Sequence, residues 1–147
     1  MSITYVNAEL RHLVQTRADF LCEYCLIAEE ETGLGCEVDH VISEKHGGLT
    51  IEENLALACV CCNQAKGSDI GSIILQSGAF VRFFNPRIDR WNDHFCLRDY
   101  RIEPLSDIGF VTAQILRFNS LKRLLERQAL ALVDRYPSEP ARRRMAI

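Results

Sequence analysis

Short stretches of regularly spaced apolar residues predict one helix and two strands in the first half of the chain. Apolar residues recur at helical spacing over residues 7–18, and Asn7 is a suitable N-cap for this helix. Apolar and polar side chains alternate over residues 36–42, and residues 55–58 are apolar, so both segments are predicted strands. A helix is expected to begin at Asn63, and it should be short because a glycine and a serine follow closely.

The same spacing rules predict a β hairpin and two helices in the second half. Residues 80–84 are rich in β-forming side chains and stop at Asn-Pro, and residues 95–102 are predicted to pair with them. Residues 110–117 and 121–133 have the spacing of amphipathic helices. The arginine-rich segment 142–144 is expected to belong to a frayed tail.

The composition is that of an ordinary globular protein. The 147 residues fit one domain, or a small domain with an extension, and 48% of them are hydrophobic. No apolar run approaches the length of a membrane span. The first residues lack the basic start, apolar core and cleavage site of a secretory signal, so we expect an intracellular, cytoplasmic protein.

The net charge of −3 is unevenly distributed along the chain. Residues 1–36 carry 2 basic and 6 acidic side chains, whereas residues 107–147 carry 8 basic and 4 acidic ones. This asymmetry permits a polyanionic partner but does not require one.

Four of the seven cysteines form two Cys-x-x-Cys pairs. These cysteines are Cys22, Cys25, Cys59 and Cys62. An odd number of cysteines in a chain with no signal peptide argues against a disulfide framework. The two-residue spacer lets both sulfurs of a pair face one ion, and four thiolates complete the tetrahedral coordination of Zn²⁺. The sequence therefore predicts a structural zinc site, while Cys36, Cys61 and Cys96 are expected to be small buried residues.

Polar residues typical of a hydrolytic site lie between the two cysteine pairs and just after the second. They are Asp39, His40, Asn54, Asn63 and Lys66. Taken singly, each residue has a structural explanation, such as a strand end, a turn or a helix cap. Their order within the cysteine frame favours an active site.

In this order and spacing, residues 20–68 resemble the HNH endonucleases of the ββα-metal nuclease superfamily. The three letters of the family name fall on His40, Asn54 and Asn63, with asparagine at the last position where many members have histidine. The resemblance implies that His40 is the general base and that Asn54 fixes the loop that carries it. It also implies that Asp39 and Asn63 hold a divalent ion, which the oxygen donors suggest to be Mg²⁺ or Mn²⁺.

Two further residues are candidates for binding the substrate. Lys66 is expected either to contact a phosphate or to be a solvated lysine. His46, in the turn before a Gly-Gly pair, is expected either to line the substrate groove or to be an exposed loop residue. DNA is the implied substrate, and RNA is an alternative. The oligomeric state is open. One active site cuts one strand, so cutting both strands would need a dimer or two successive binding events.

The predicted fold is α+β, with a small ββα-metal (HNH) core and a structural zinc on four cysteines over residues 1–70. Residues 71–147 form a C-terminal extension with a short β hairpin and two helices, weakly similar to an extension in some bacterial HNH proteins. The extension is expected either to pack on the core or to present arginines to phosphates. These arginines are Arg82, Arg87, Arg90, Arg123 and Arg127. The alternative to a nuclease is a non-catalytic, zinc-stabilised module that binds nucleic acid or protein.

Overall fold

The computed structural model describes residues 5–147 and confirms the α+β class, with short helices and three two-stranded antiparallel sheets in this part of the chain. The helices are α1 (Ala8–Arg17), α2 (Val60–Lys66), α3 (Trp91–His94), α4 (Asp107–Ile115), α5 (Leu121–Leu132) and α6 (Glu139–Met145). The strands are β1 (Cys36–His40), β2 (Leu55–Cys59), β3 (Gly71–Ile74), β4 (Ala79–Arg82), β5 (Phe95–Arg98) and β6 (Arg101–Pro104). None of the described helices combines the length and apolar character that crossing a bilayer would require.

The first helix forms where the sequence predicts it. The side-chain oxygen of Asn7 accepts a 2.8 Å hydrogen bond from the Leu10 amide, as an N-cap does. Val14 is buried, and the Arg17 guanidinium donates to the carbonyls of Glu52 and Leu55. These contacts hold α1 against the beginning of β2.

A β hairpin followed directly by a helix forms the centre of the molecule. In the antiparallel register of β1 and β2, Cys36 lies opposite Cys59 and His40 lies opposite Leu55. Every residue of β2 is buried, as its apolar sequence predicts. Helix α2 begins immediately after Cys59, whose Sγ accepts a hydrogen bond from the Cys62 amide at 3.4 Å.

The predicted pairing of residues 80–84 with residues 95–102 is wrong. Strand β4 pairs with β3, and β5 pairs with β6, in two separate hairpins. Both hairpins join strands that are close in sequence, so they close short loops at a small cost in chain entropy. The extension also has more helices than the two predicted, because α3 and α6 are formed as well.

Aromatic side chains of residues 71–147 form a buried cluster that contacts the first cysteine pair. Phe84, Trp91, Phe95 and Phe118 are buried, and the Phe95 ring contacts the rings of the other three. The Trp91 indole N–H donates a 2.8 Å hydrogen bond to the Tyr24 carbonyl, inside the first cysteine pair.

The end of the chain is helical, so the predicted frayed tail is wrong. Ala141 and Met145 of α6 are buried, which gives this short helix an apolar face against the rest of the protein. The Arg144 guanidinium donates to the Arg17 carbonyl at 3.0 Å and also pairs with Asp19. Side chains that read as a basic tail in the sequence therefore join α6 to the end of α1.

Candidate active site and zinc centre

The four cysteines of the two pairs converge in a buried cluster that fits a tetrahedral zinc ion. Their sulfurs all lie within 4.8 Å of one another. Four sulfurs placed about 2.3 Å from a central ion would be separated by about 3.8 Å. The Sγ atoms of Cys25 and Cys59 are 3.8 Å apart. The donor set and its spacing therefore support the predicted zinc site.

Polar N–H groups surround these sulfurs. The Cys25 amide donates to Cys22 Sγ at 3.5 Å, and Arg123 Nη2 lies 3.2 Å from Cys62 Sγ. Burial by itself lowers the pKa of the Arg123 guanidinium, but the charge of the cysteine sulfurs outweighs this effect and raises the pKa. These N–H groups are placed to donate to the sulfurs when the cysteines bind a metal ion as thiolates.

The three cysteines outside the cluster differ in burial. Cys36 is buried, as expected, whereas Cys61 and Cys96 are only half-buried. Cys61 lies within α2 but takes no part in the sulfur cluster, in agreement with its lack of x-x spacing.

Three of the predicted active-site residues line one cleft of about 600 Å³. These residues are Asp39, His40 and Asn63. The cleft lies between α1, strand β1, the loop after β1 and the end of α2. Asn54 and Lys66 are not among the residues that line it. The structure thus separates side chains that face the cleft from side chains that support them.

The His40 ring is held by two residues of the loop that follows β1. Its Nε2 atom is 2.8 Å from Thr50 Oγ1 and 3.3 Å from a carboxylate oxygen of Glu44. The Thr50 hydroxyl lies 3.4 Å from the same carboxylate oxygen. Sequence reasoning did not identify Thr50 or Glu44, although the position of Glu44 four residues after the histidine was a usable signal.

Asn54 joins the two ends of the loop that connects β1 to β2. Its amide nitrogen donates to the carbonyls of Ile42 and Leu49, both at 2.9 Å, and its oxygen accepts from the Ile42 amide. A Cβ atom at Gly48 would meet the Ile42 carbonyl oxygen at 1.7 Å, so only glycine fits there. These hydrogen bonds hold the two ends of the loop together, and the contribution of Asn54 to catalysis stays a prediction.

Asp39 lies at the inner wall of the cleft and is almost fully buried. The Tyr24 hydroxyl donates to its Oδ2 at 2.8 Å, and the Lys66 ammonium lies 3.2 Å from Oδ2 and 3.3 Å from Oδ1. Burial raises the pKa of the Asp39 carboxyl, and the nearby positive charge of Lys66 offsets part of this rise.

Lys66 does not occupy either of its predicted environments. Its side chain is 1% exposed, and its ammonium also donates to the His40 carbonyl at 2.9 Å. A lysine that is buried in this way neutralises Asp39 and stabilises the end of β1. The predicted phosphate contact and the solvated alternative are both incompatible with this position.

Asn63 is paired with a residue that sequence reasoning missed. Its amide nitrogen donates a 2.5 Å hydrogen bond to Glu37 Oε2. Glu37 stands two positions before Asp39 on β1, so both side chains project from the same face of the strand. An acidic residue at that spacing was the available signal.

His46 and most of the extension's arginines do not form a substrate surface. His46 is exposed and is not one of the residues that line the cleft. Arg123 and Arg127 are buried, Arg87 is paired with Glu23, and Arg82 is paired with Asp89. Of the five arginines proposed to contact phosphates, Arg90 alone is exposed and outside any ion pair in the described part of the chain.

The structure thus combines a ββα unit, a buried cluster of four cysteines that could hold a metal ion, and a polar cleft. Residues 22–69 match the family model described as HNH endonuclease. This match confirms the predicted family for that segment, which is an HNH domain and leaves the C-terminal extension outside. No curated protein and no solved structure gives a significant match.

Proposed function

We propose that the protein is a metal-dependent HNH endonuclease that hydrolyses phosphodiester bonds of DNA. The observation that supports this function best is the presence of His40, Asp39 and Asn63 in a single cleft within the HNH segment. A module that only binds would not require a basic imidazole and two oxygen donors in the same cleft.

The contacts of His40 favour the tautomer that a general base needs. A carboxylate can only accept hydrogen bonds, so Glu44 favours a proton on Nε2 of His40. This assignment leaves Nδ1 as the unprotonated nitrogen that accepts a proton from the attacking water. Glu44 then stabilises the imidazolium that forms, as the carboxylate does in other histidine-dependent hydrolases.

Asp39 and Asn63 are the residues that would hold the catalytic Mg²⁺ or Mn²⁺, an ion that supplies positive charge to the phosphate when it is bound. An ionised carboxylate offers about four lone-pair sites, and the Asp39 carboxylate accepts one hydrogen bond from Tyr24 and one from Lys66. The amide nitrogen of Asn63 is engaged by Glu37, which directs the amide oxygen elsewhere. Both residues therefore retain an oxygen lone pair for a hard cation.

Arg11 and Lys45 replace Lys66 and His46 as candidates for binding the phosphate backbone. Both line the cleft and both are exposed. Within residues 5–147, neither takes part in an ion pair with an acidic side chain. Since Arg11 comes from α1 and Lys45 from the loop after β1, they offer positive charge at two different walls of the cleft.

A plasmid assay tests the proposed function. We expect zinc-loaded protein to convert supercoiled plasmid to the nicked form when Mg²⁺ or Mn²⁺ is added, because one such centre cuts one strand. His40→Ala should lose this activity while it keeps its zinc and its melting temperature. Cleavage that persists in His40→Ala would show that the base is another residue. An intact plasmid with the wild-type protein in both ions would favour the non-catalytic binding module.

A further inference from the structure

A guanidinium group from the C-terminal extension lies against the sulfur cluster. Arg123 Nη2 is 3.2 Å from Cys62 Sγ and 3.7 Å from Cys59 Sγ, while Nη1 donates to the Leu116 carbonyl at 3.0 Å. The side chain is 5% exposed, and its guanidinium carbon lies 5.8 Å from the centre of the Phe118 ring. Arg123 is therefore an internal residue whose charged end points to two of the four sulfurs.

Arg123 needs a negative partner, and the sulfurs are the anions that it contacts. No carboxylate within the described residues forms an ion pair with it, unlike Arg87, which pairs with Glu23. A buried cation without a counter-charge is strongly unfavourable. The position of Arg123 is favourable when Cys59 and Cys62 carry negative charge, as they do when they bind a metal ion.

The sulfur cluster has the complementary requirement. Four thiolates and one Zn²⁺ carry a net charge of about −2, which is unfavourable in a buried environment. One guanidinium halves this charge, and its N–H groups hold two of the sulfurs in their positions around the ion. Arginine and cluster therefore stabilise each other, although they are some sixty residues apart in the chain.

We propose that Arg123 is a positioning residue of the zinc centre. It holds the Cys59 and Cys62 sulfurs in place and offsets the charge of the cluster. The retention of zinc consequently depends on the C-terminal extension. The proposal holds whether or not the cleft cleaves DNA. It also gives a role to part of the chain that lies outside the segment matched by the HNH family.

Zinc release from the full-length holoprotein provides the test, because it is measured without any nuclease assay. Arg123→Met removes the charge and keeps most of the side-chain volume. Arg127→Met is the matched control, since Arg127 is also buried on α5 but donates to the carbonyls of Tyr100 and Phe118. Into an excess of a chromogenic zinc chelator, Arg123→Met should release zinc about 10- to 100-fold faster than wild type. Arg127→Met should stay within about threefold of wild type at a temperature where both variants are fully folded.

Arg123→Lys is a second variant in case Arg123→Met does not fold. It keeps the charge, but one ammonium group cannot donate to both sulfurs with the geometry of a guanidinium, so we expect about tenfold faster release. The sulfur-to-metal charge-transfer band of cobalt-substituted protein should shift in the Arg123 variants and not in Arg127→Met. Release at the wild-type rate from Arg123→Met or Arg123→Lys would overturn the proposal. So would equally fast release from Arg127→Met, or a wild-type protein that binds no zinc.

Discussion

The Tyr24 hydroxyl donates a 2.8 Å hydrogen bond to Asp39 Oδ2, which joins the first cysteine pair directly to the inner wall of the cleft. Tyr24 lies between Cys22 and Cys25, and its carbonyl is held by the Trp91 indole. The zinc centre, the extension and the proposed metal ligand are thus connected through one side chain. The position of Asp39 consequently depends on how the first cysteine pair is folded.

Tyr24→Phe should remove the hydrogen bond to Asp39 and leave the aromatic ring packed in its place. Loss of a hydrogen bond to a buried charged group should lower the free energy of unfolding by about 1.5–3 kcal/mol. Plasmid nicking should slow by about 10- to 100-fold, because Asp39 loses a residue that orients it. Thr112→Val is the control, since it removes a buried hydroxyl that accepts a hydrogen bond from the Phe84 amide in the extension. Nicking that slows equally in both variants would mean that the effect is one of general stability.

Gly48→Ala should disrupt the loop between the strands without touching the zinc centre. The added methyl group would meet the Ile42 carbonyl oxygen at 1.7 Å and the Asn54 amide nitrogen at 2.9 Å. The loop must move to accommodate it, and a displacement near 1 Å at a reacting group can cost about 100-fold in rate. We expect the nicking rate to fall and the zinc content to stay at the wild-type value when both are measured on the same sample. Gly33→Ala is the control, because nothing lies within 4 Å of its added Cβ.

Glu37 variants should show how Asn63 is held. Glu37→Ala removes the acceptor for the Asn63 amide, and we expect the Mg²⁺ concentration for half-maximal nicking to rise about tenfold. Glu37→Gln keeps an oxygen that can accept the same hydrogen bond, so its value should stay within about threefold of wild type. Equal effects of the two substitutions would indicate instead that the negative charge of Glu37 acts directly on the ion.

Cys25→Ser should destabilise the fold rather than slow a reaction. Structural zinc supplies on the order of 10 kcal/mol, which is comparable to the stability of a small domain. We expect the variant to lose its zinc and its cooperative thermal transition, which is measured by circular dichroism. Cys96→Ser, at a half-buried position outside the cluster, should change stability by less than about 1 kcal/mol. An unchanged melting temperature in Cys25→Ser would contradict the zinc assignment.

Replacement of Arg11 and Lys45 by glutamine should weaken DNA binding. The two side chains are the exposed cations of the cleft, so we expect the dissociation constant for a short duplex to rise about tenfold, measured by fluorescence anisotropy without a divalent ion. The control is the replacement of Arg98 and Arg142 by glutamine. Both arginines are exposed and do not line the cleft, so the control removes the same charge outside the cleft. Equal weakening in this control would mean that only the overall charge matters.

The features predicted correctly from the sequence are those that depend on local geometry. The two-residue spacer fixes which two sulfurs of a pair can face one ion, so each half of the cysteine cluster follows from local spacing. An N-cap acts within one helical turn, which is why α1 begins at its predicted position after Asn7. The order of Asp39, His40, Asn54 and Asn63 was enough to predict the family.

The features that sequence reasoning missed depend on contacts between distant residues. Lys66 is an ordinary exposed residue type, and only the folded structure places it under Asp39, 27 positions earlier. Arginine-rich helices suggest a surface for phosphates, yet Arg123 and Arg127 point inward because sulfurs and carbonyls need donors there. Strand pairing in the extension likewise depends on which hairpins pack together, which periodicity cannot decide.

Because so many arginines of the extension lie inside the protein or in ion pairs, its outer surface has fewer free cations than the sequence suggests. A duplex that touches this surface would release few condensed counterions, so its nonspecific attachment would be weak and would change little with salt. If the cleft binds DNA as proposed, the binding free energy would then come mainly from contacts of the phosphate with the cleft itself.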